Sequence, residues 1–136
     1  MMRVLVDTNI FLDVLMAREP WLDMSLEVIN WCAAHHGEAW IAWHSLSNLW
    51  YVGAKLVGKK SAGEQIDAIL DSFEVAPAHS NAARRARQFN MQDFEDAMQA
   101  AAALECGAKQ IVTRNTADYK RSPVPAISPT SFLSGT

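Results

Sequence analysis

Three aspartates that are far apart in the sequence are the residues best suited to carry out chemistry. Asp7 directly follows an almost continuous apolar run, Met2–Val6. Such a run is typical of a parallel strand buried on both faces, and ligands bind beyond the carboxyl ends of these strands. Asp96 and Asp118 lie near the starts or ends of later predicted elements. We therefore expect the three aspartates to be candidate metal ligands, provided that the fold brings them together.

Carboxylates are ligands that Mg²⁺ and Mn²⁺ prefer, and such ions keep some waters while taking oxygen ligands from several chain segments. Two carboxylates about 4 Å apart repel each other by about 4 kcal/mol at an effective dielectric constant near 20. A cluster of acids is therefore unfavourable unless a cation or protons neutralise it. If the three aspartates cluster, their clustering is itself evidence for a metal site.

Alternating strand and helix patterns predict the elements that must position these aspartates. Strands are predicted at 3–6, 39–43, 73–76, 110–113 and, more weakly, 124–127. Helices are predicted at 9–17, from Glu19-Pro20 to about His36, at 45–57, from 61 onward, at 80–89 and at 93–105. Alternation of this kind predicts a three-layer α/β/α sandwich around a mainly parallel sheet of four to five strands. Without a linker or an internal repeat, residues 1–136 are expected to form one domain.

The helix predicted at 93–105 is unusually rich in alanine, including four consecutive alanines at 100–103. Small side chains give this helix a thin profile, so its backbone can lie close to the sheet. Asp96 is then expected to come near the strand ends.

Composition and charge exclude several classes of protein. The formal net charge of −3 argues against a protein that coats duplex nucleic acid over a broad face. No run approaches the roughly 20 apolar residues needed to span a bilayer, and the apolar N-terminal stretch is too short for a signal peptide. We therefore expect a cytoplasmic protein without a membrane partner. Cys32 and Cys106 lack metal-type spacing and are expected to be buried thiols.

Tryptophan content points to association with another protein. Five tryptophans in 136 residues exceed what a small core easily hides, and an exposed aromatic patch is typical of an interaction surface. We expect an oligomer, most simply a homodimer, rather than a monomer.

Three segments of the chain, taken in order, resemble the motifs of PIN-domain nucleases. They are VLVDTNIFLD (Val4–Asp13), DFEDA (Asp93–Ala97) and IVTRNTADY (Ile111–Tyr119). Each lies at a predicted strand end or helix start, and the resemblance covers nearly the whole chain. PIN domains are metal-dependent ribonucleases, and many are toxins of VapBC-type toxin–antitoxin pairs. The resemblance therefore implies an enzyme that uses Mg²⁺ or Mn²⁺, cleaves RNA and has an antitoxin as its protein partner.

The same resemblance implies roles for individual residues. Asp7, Asp96 and Asp118 would be the metal-binding and catalytic acids, with Asn115 beside them in support. The metal would activate a water and neutralise charge on the phosphate during hydrolysis of the phosphodiester.

Polar and basic residues next to the motifs are candidates to support this chemistry. Thr8 and Thr113 are expected either to position a metal-bound water or carboxylate or to be structural strand-end residues. Arg114, Lys120 and Arg121 flank the third motif and are candidate RNA-binding residues through phosphate contacts.

One position departs from the family pattern. PIN nucleases usually carry a glutamate in the helix after the second strand, where this chain has Asn48. An amide oxygen can ligate a hard cation but adds no charge and cannot act as a base, so metal affinity is expected to fall. Asp93, three residues before Asp96, is expected either to restore the charge or to cap the helix. Glu95 is expected to point into solvent.

Two further polar residues lie near the motifs. Asp13 is predicted to be a polar position on the first helix rather than a ligand. His44 is expected either to donate a hydrogen bond to a ligand of the site or, as the simpler alternative, to be a surface histidine.

Several other hypotheses were weighed against the nuclease. A haloacid-dehalogenase-like phosphatase needs an aspartate two positions after Asp7, where this chain has Asn9. A receiver domain needs a phosphate-accepting aspartate about fifty positions along the chain, at its third strand, and no such aspartate follows Trp43. Six scattered glycines give neither dinucleotide-binding nor P-loop patterns. The remaining alternative is a catalytically weak or inactive PIN-fold module that binds RNA or a protein partner, its site having decayed at Asn48.

Overall fold

A five-stranded parallel sheet forms the centre of the structure, a computed structural model that describes residues 2–136. The strands are β1 (Val4–Val6), β2 (Ala39–Ile41), β3 (Glu74–Val75), β4 (Gln110–Val112) and β5 (Ala126–Ile127). They lie in the order β3-β2-β1-β4-β5, and every neighbouring pair is parallel. The predicted parallel sheet is therefore confirmed.

Within residues 2–136, six α-helices cover the two faces of this sheet. They are α1 (Thr8–Leu15), α2 (Leu22–Ala34), α3 (Trp43–Ser72), α4 (Ser80–Gln88), α5 (Phe94–Glu105) and α6 (Pro129–Ser134). Side chains of α1, α2, α3 and α6 pack on one face, whereas those of α4 and α5 pack on the other. The three-layer α/β/α sandwich is therefore confirmed. Among the helices of the described residues, none combines the length and apolar character needed to cross a membrane.

The central strand β1 is buried on both faces, which explains its nearly continuous apolar sequence. Val4 and Val6 contribute to the core under α1, α2 and α3, whereas Leu5 contributes to the core under α5. All three residues are fully buried. The thin, alanine-rich α5 packs directly against this second face, as predicted.

The strand order reverses at β1, and this reversal positions the candidate site. From β1 the chain continues to β2 and β3 on one side, whereas β4 and β5 lie on the other. Open parallel sheets bind ligands in the crevice beyond the carboxyl ends of the strands at such a switch point. Asp7 follows β1 directly and Thr113 follows β4 directly, and the backbone N–H of Asp7 donates to the carbonyl of Val112 at 3.0 Å.

Some element boundaries differ from those predicted. Trp43 begins α3 instead of ending β2. The two helices predicted on either side of Gly58 form one long element that is interrupted there, with φ 84° and ψ 164° at the glycine. Helix α6 was not predicted because its six residues are too few to show a helical period; Ser128 caps it by accepting the N–H of Ser131.

Candidate metal centre

Asp7 is a buried carboxylate at the end of β1, only 4% exposed. Its Oδ2 accepts hydrogen bonds from the hydroxyl of Thr113 at 2.8 Å and from that of Tyr119 at 3.0 Å. Burial raises the pKa of Asp7, and the charge of Glu95 raises it further, while the two hydroxyl donors oppose this shift. The fold therefore holds Asp7 in one orientation in a setting that disfavours its negative charge.

A single tyrosine hydroxyl connects Asp7 to Asp96. The buried Tyr119 places its Oη 3.0 Å from Oδ2 of Asp7 and 3.4 Å from Oδ1 of Asp96. The hydroxyl has one proton, so it can donate to only one of the two carboxylates at a time. Burial, together with the charges of Asp7, Glu95 and Asp93, raises the pKa of Asp96 to about 7. Two of the three predicted aspartates therefore meet across one hydroxyl.

Glu95 also faces this site, so the prediction that it points into solvent was wrong. Its Oε1 lies 3.1 Å from Nε2 of His44 and 3.2 Å from Nε2 of Gln99. Burial pushes the pKa of Glu95 upward, but the hydrogen bonds from His44 and Gln99 outweigh it and the pKa is lowered. The position of Glu95 around α5 did not predict this contact, because the contact depends on where α3 places His44. His44 is accordingly a partner of Glu95 rather than an ordinary surface histidine.

Asp93 and Glu95 form a compact acidic group with Asp96. Within residues 2–136, these three side chains can place ligand atoms within 4.8 Å of one another. Asp93 also caps α5, because its Oδ1 accepts the backbone N–H of Asp96 at 3.0 Å. The capping role considered for Asp93 is confirmed, and its carboxylate stands beside the other acids.

A buried polar network that the sequence did not predict holds Glu95 in place. The side-chain nitrogen of the fully buried Gln99 lies 2.9 Å from Oγ1 of Thr8 and 2.8 Å from Oγ of Ser45. Thr8 and Ser45 are themselves 2.7 Å apart. The network joins the start of α1, the start of α3 and the first turns of α5. One signal was present in the sequence, since Gln99 is the only polar residue in the stretch 97–103.

This donor set fits a hard divalent cation. It consists of carboxylate oxygens, which suit Mg²⁺ and Mn²⁺ rather than softer metals. Burial raises the pKa values of Asp7 and Asp96, and the charges of the neighbouring acids raise them further. In addition, the buried Oδ1 of Asn9 has no hydrogen-bond partner within the described residues. Within the described residues, the group Asp93, Glu95 and Asp96, with Asp7 across the hydroxyl of Tyr119, supplies the carboxylates that could hold such an ion.

The sequence matches a family model described as PIN domain over residues 3–117. The chain belongs to the PIN domain family. This match covers the first two motifs and the third as far as residue 117, just before Asp118, and it confirms the resemblance that the motifs showed. None of the curated proteins compared matches this PIN domain.

Solved structures with a similar fold cover almost all of this PIN domain at low sequence identity. A DNA-bound VapBC from Salmonella typhimurium has a TM-score of 0.72 at 20% identity, covering 95% of this chain and 99% of that chain. A toxin–antitoxin complex from Klebsiella pneumoniae has a TM-score of 0.68 at 24% identity, covering 93% and 97%. VapC20 from Mycobacterium tuberculosis, described as a sarcin-ricin loop cleaving toxin, has a TM-score of 0.62 at 16% identity, covering 79% and 86%. At these identities the similarity establishes the fold.

Three predicted site residues of this PIN domain do not contact the acids. Asp118 is exposed on the 3-10 turn Thr116–Tyr119, and its backbone N–H donates to the carbonyl of Asn115 at 3.0 Å. Asn115 is exposed as well. Asn48 is exposed on α3, whereas Ser45, one turn earlier, joins the buried network. The metal-binding role of Asp118 and the supporting roles of Asn115 and Asn48 stay predictions.

Arg114 has a structural role within the fold. Its Nε and Nη2 donate to the two carboxylate oxygens of Asp13 at 2.7 and 3.0 Å, and its guanidinium lies 3.9 Å from the ring centre of Trp21. Asp13 is completely buried and also accepts the hydroxyl of Ser25 at 2.9 Å, so the prediction that it is an ordinary polar position was wrong. Contact of Arg114 with RNA stays a prediction.

Lys120 and Arg121 are exposed just beyond the 3-10 turn. Arg121 donates through Nη1 to the carbonyl of Asn90 at 3.0 Å, which ties this segment to the loop before α5. Contact of Lys120 and Arg121 with RNA phosphates stays a prediction.

We expect Tyr119→Phe to lower the free energy of unfolding of the metal-free PIN domain by about 1.5–3 kcal/mol, the range for a hydrogen bond to a charged group. The substitution keeps the buried ring and removes the hydroxyl shared by Asp7 and Asp96. Urea unfolding in EDTA measures the difference. Tyr51→Phe is a matched control, since Tyr51 is 61% exposed; equally small effects of the two substitutions would contradict the role given to Tyr119.

Proposed function

We propose that this chain is a metal-dependent ribonuclease that acts in the cytoplasm as the toxin of a toxin–antitoxin pair. One observation carries the proposal. Asp7 and Asp96, which are 89 positions apart in the chain, meet across the hydroxyl of Tyr119 at the switch point of the sheet, with Glu95 beside them. Membership of the PIN domain family and the similarity in fold to VapBC and to the RNA-cleaving toxin VapC20 support the same function.

Asp7, Asp96 and Glu95 would hold Mg²⁺ or Mn²⁺, and Asp118 is retained as a further candidate ligand. When bound, such an ion lowers the pKa of a coordinated water and neutralises charge that develops on the phosphate oxygens. The carboxylates of Asp7 and Asp96 contribute fixed negative charge from two different elements. Tyr119 and Thr113 orient Asp7, so this carboxylate needs little rearrangement before it acts.

Glu95 supplies the carboxylate that the family pattern places at position 48. Hydrogen bonds from His44 and Gln99 lower the pKa of Glu95, so it is ionised at neutral pH and able to accept a proton from the attacking water. Asn48, by contrast, can neither carry charge nor accept that proton. Glu95, in the first turn of α5, therefore supplies the negative charge that Asn48 lacks.

RNA cleavage that depends on a divalent ion is the test of this function. Purified protein is incubated with random-sequence single-stranded RNA in MnCl₂, in MgCl₂ or in EDTA. We expect cleavage with either metal and none in EDTA, and Asp7→Asn should lower the rate by about 10²–10³-fold because it removes a charged group from the reacting centre. Asp23→Asn, an exposed acid on α2, is the matched control. Undiminished cleavage by Asp7→Asn, or in EDTA, would contradict the proposal.

Because position 48 is an asparagine rather than a glutamate, a second function is also considered. In it, the chain is a non-catalytic module that binds RNA or a protein. The same assay separates the two functions. A module of this kind would retain RNA on a filter, with or without Mn²⁺, and leave it uncut.

An antitoxin and a second copy of the chain are the proposed protein partners. Structures of similar fold include VapBC and another toxin–antitoxin complex. Helix α3 exposes several large apolar side chains, Trp50, Tyr51, Leu56 and Val57, and apolar surface of this extent is typical of an interaction site. Light scattering is expected to give twice the 15.1 kDa mass of one chain; a monomer at micromolar concentration would exclude the homodimer.

A further inference from the structure

A cavity of about 210 Å³ lies between the start of α3, helix α4 and helix α5. Its walls include the aromatic side chains of Trp43 and Phe94, and its floor includes Ala82 and Ala101. None of the acidic residues of the candidate metal centre lines it. The cavity is therefore a separate feature that the chemistry of the carboxylates does not explain.

His44 connects this cavity to the metal centre. Its ring lines the cavity, while its Nε2 lies 3.1 Å from Oε1 of Glu95. Phe94, on the cavity wall, directly precedes Glu95 in the first turn of α5. A nucleotide whose phosphate lies at the acids therefore has its base within reach of the cavity.

The lining of the cavity suits an uncharged aromatic group. Its side chains are mostly apolar, and the imidazoles of His44 and His79 are already hydrogen-bonded to Glu95 and Glu105. The charged phosphate of a nucleotide requires cations, which the acidic centre would hold. The uncharged base requires none, so it suits the apolar cavity beside that centre. The base is thus the part that the cavity can accept.

Aromatic walls and size both indicate a single base. Trp43 is 65% exposed and Phe94 43% exposed, and exposed aromatic rings beside an RNA-processing site are typical platforms for base stacking. Pockets for drug-sized ligands span roughly 300–1,000 Å³, so this cavity is too small for a large cofactor.

We propose that this cavity binds the base of one nucleotide next to the scissile phosphate and thereby creates a base preference at one position beside the cleavage site. This inference rests on the proposed ribonuclease function. Trp43 stacks on the base, and the alanines of α4 and α5 leave the space that the base enters. Trp43 and the cavity are specificity-determining, whereas the carboxylates carry the chemistry.

Cleavage of random-sequence RNA in Mn²⁺, followed by sequencing of the product ends, tests the proposal with three variants. Trp43→Ala removes the stacking surface, and Ala83→Leu fills the cavity from an exposed position on α4. Ala33→Leu makes the same change at an exposed position on α2, across the sheet. We expect wild type and Ala33→Leu to share a base preference at one position, and the other two variants to weaken it about tenfold or more at that position alone, in line with the contribution of one stacked base.

A base preference that survives both Trp43→Ala and Ala83→Leu in actively cleaving protein would overturn this inference and leave the ribonuclease intact. If wild type cleaves no RNA in Mn²⁺, the proposed function fails first. If the two variants keep the preference but no longer bind a co-expressed antitoxin, the cavity belongs to a protein interface and the inference is wrong.

A second measurement does not depend on cleavage. Each of the four nucleosides, which carry no phosphate, is titrated into metal-free protein while the indole N–H signal of Trp43 is followed by NMR. We expect the preferred nucleoside to shift this signal and Ala83→Leu to abolish the shift. No shift with any nucleoside at millimolar concentration would also overturn the inference.

Discussion

Asp96→Asn is expected to make the metal-free protein more stable to heat and to abolish its metal-dependent cleavage of RNA. Asp96 lies near Asp7, Glu95 and Asp93, and burial together with these charges raises its pKa to about 7. Asparagine keeps the shape of the side chain and removes the charge, so the repulsion disappears. The same change removes a carboxylate from the proposed metal site. Opposite effects on stability and activity are the mark of a residue kept for function.

The pH dependence of stability follows from the same shift in pKa. The ordinary pKa is 3.8, whereas that of Asp96 in the folded chain is about 7. Between these values the folded chain retains a proton that the unfolded chain has released, so the free energy of unfolding falls as the pH rises through this window. Above pH 7 the full destabilisation by Asp96 is present. In EDTA, wild type should therefore lose stability between about pH 4 and pH 7, and Asp96→Asn should lose less.

Thermal unfolding in EDTA across this pH range measures the effect. At pH 8 we expect Asp96→Asn to melt higher than wild type by about 3–5 °C for each kcal/mol of repulsion removed. Asp23→Asn on α2 is the control, since this acid is exposed and does not belong to the acidic group Asp93, Glu95 and Asp96. Parallel profiles for wild type and Asp96→Asn would show that Asp96 does not experience the other carboxylates.

Arg114→Ala is expected to lower the free energy of unfolding by about 3–5 kcal/mol, the range for breaking a buried ion pair from one side. The substitution leaves the carboxylate of Asp13 fully buried, with the hydroxyl of Ser25 as its remaining hydrogen-bond donor and Nε of Arg18 4.0 Å from its Oδ1. It also removes the guanidinium from the ring of Trp21. Because Arg114 lies in the segment between β4 and Tyr119, its loss should loosen that segment.

Urea unfolding of wild type and three variants tests this role; the variants are Arg114→Ala, Arg87→Ala and the double variant Asp13→Asn with Arg114→Ala. Arg87→Ala, at an exposed position on α4, is the control for loss of an arginine and should change stability by less than about 0.5 kcal/mol. Adding Asp13→Asn to Arg114→Ala should recover part of the loss, because the buried charge is then gone. If Arg114→Ala costs no more than Arg87→Ala, the pair with Asp13 does not anchor the fold.

The sheet and the position of Asp7 were predictable because their signals are local. An apolar run such as Val4–Val6 indicates a strand covered on both faces, and parallel strands place their carboxyl ends at one edge. The pairing of Asp7 with Asp96 followed from this topology and from the thin profile of α5. Asp93 as a helix cap was predictable for the same reason, since a cap is defined by neighbours in sequence.

The contacts that the sequence did not predict depend on distances between elements. Tyr119 was only the last residue of the third motif, and only the packing of the 3-10 turn that carries it near α5 brings its hydroxyl to two carboxylates. Glu95 turns to the site because α3 places His44 beside it. Arg114 lies next to a motif in sequence, yet its side chain reaches Asp13 on α1. In each case the residue that is contacted belongs to another helix or strand, and the spacing of residues in the sequence does not predict which side chains of two elements meet.

Binding of Mn²⁺, followed by loss of the free-ion signal in electron paramagnetic resonance, tests the central claim most directly. The claim is that Asp7, Asp96 and Glu95 hold a divalent cation together. We expect wild type and Asp23→Asn to bind Mn²⁺ with equal affinity, and Asp7→Asn and Glu95→Gln each to weaken binding about tenfold or more. Wild type that binds no Mn²⁺ at millimolar concentration, or variants that bind it as tightly as wild type, would contradict the account.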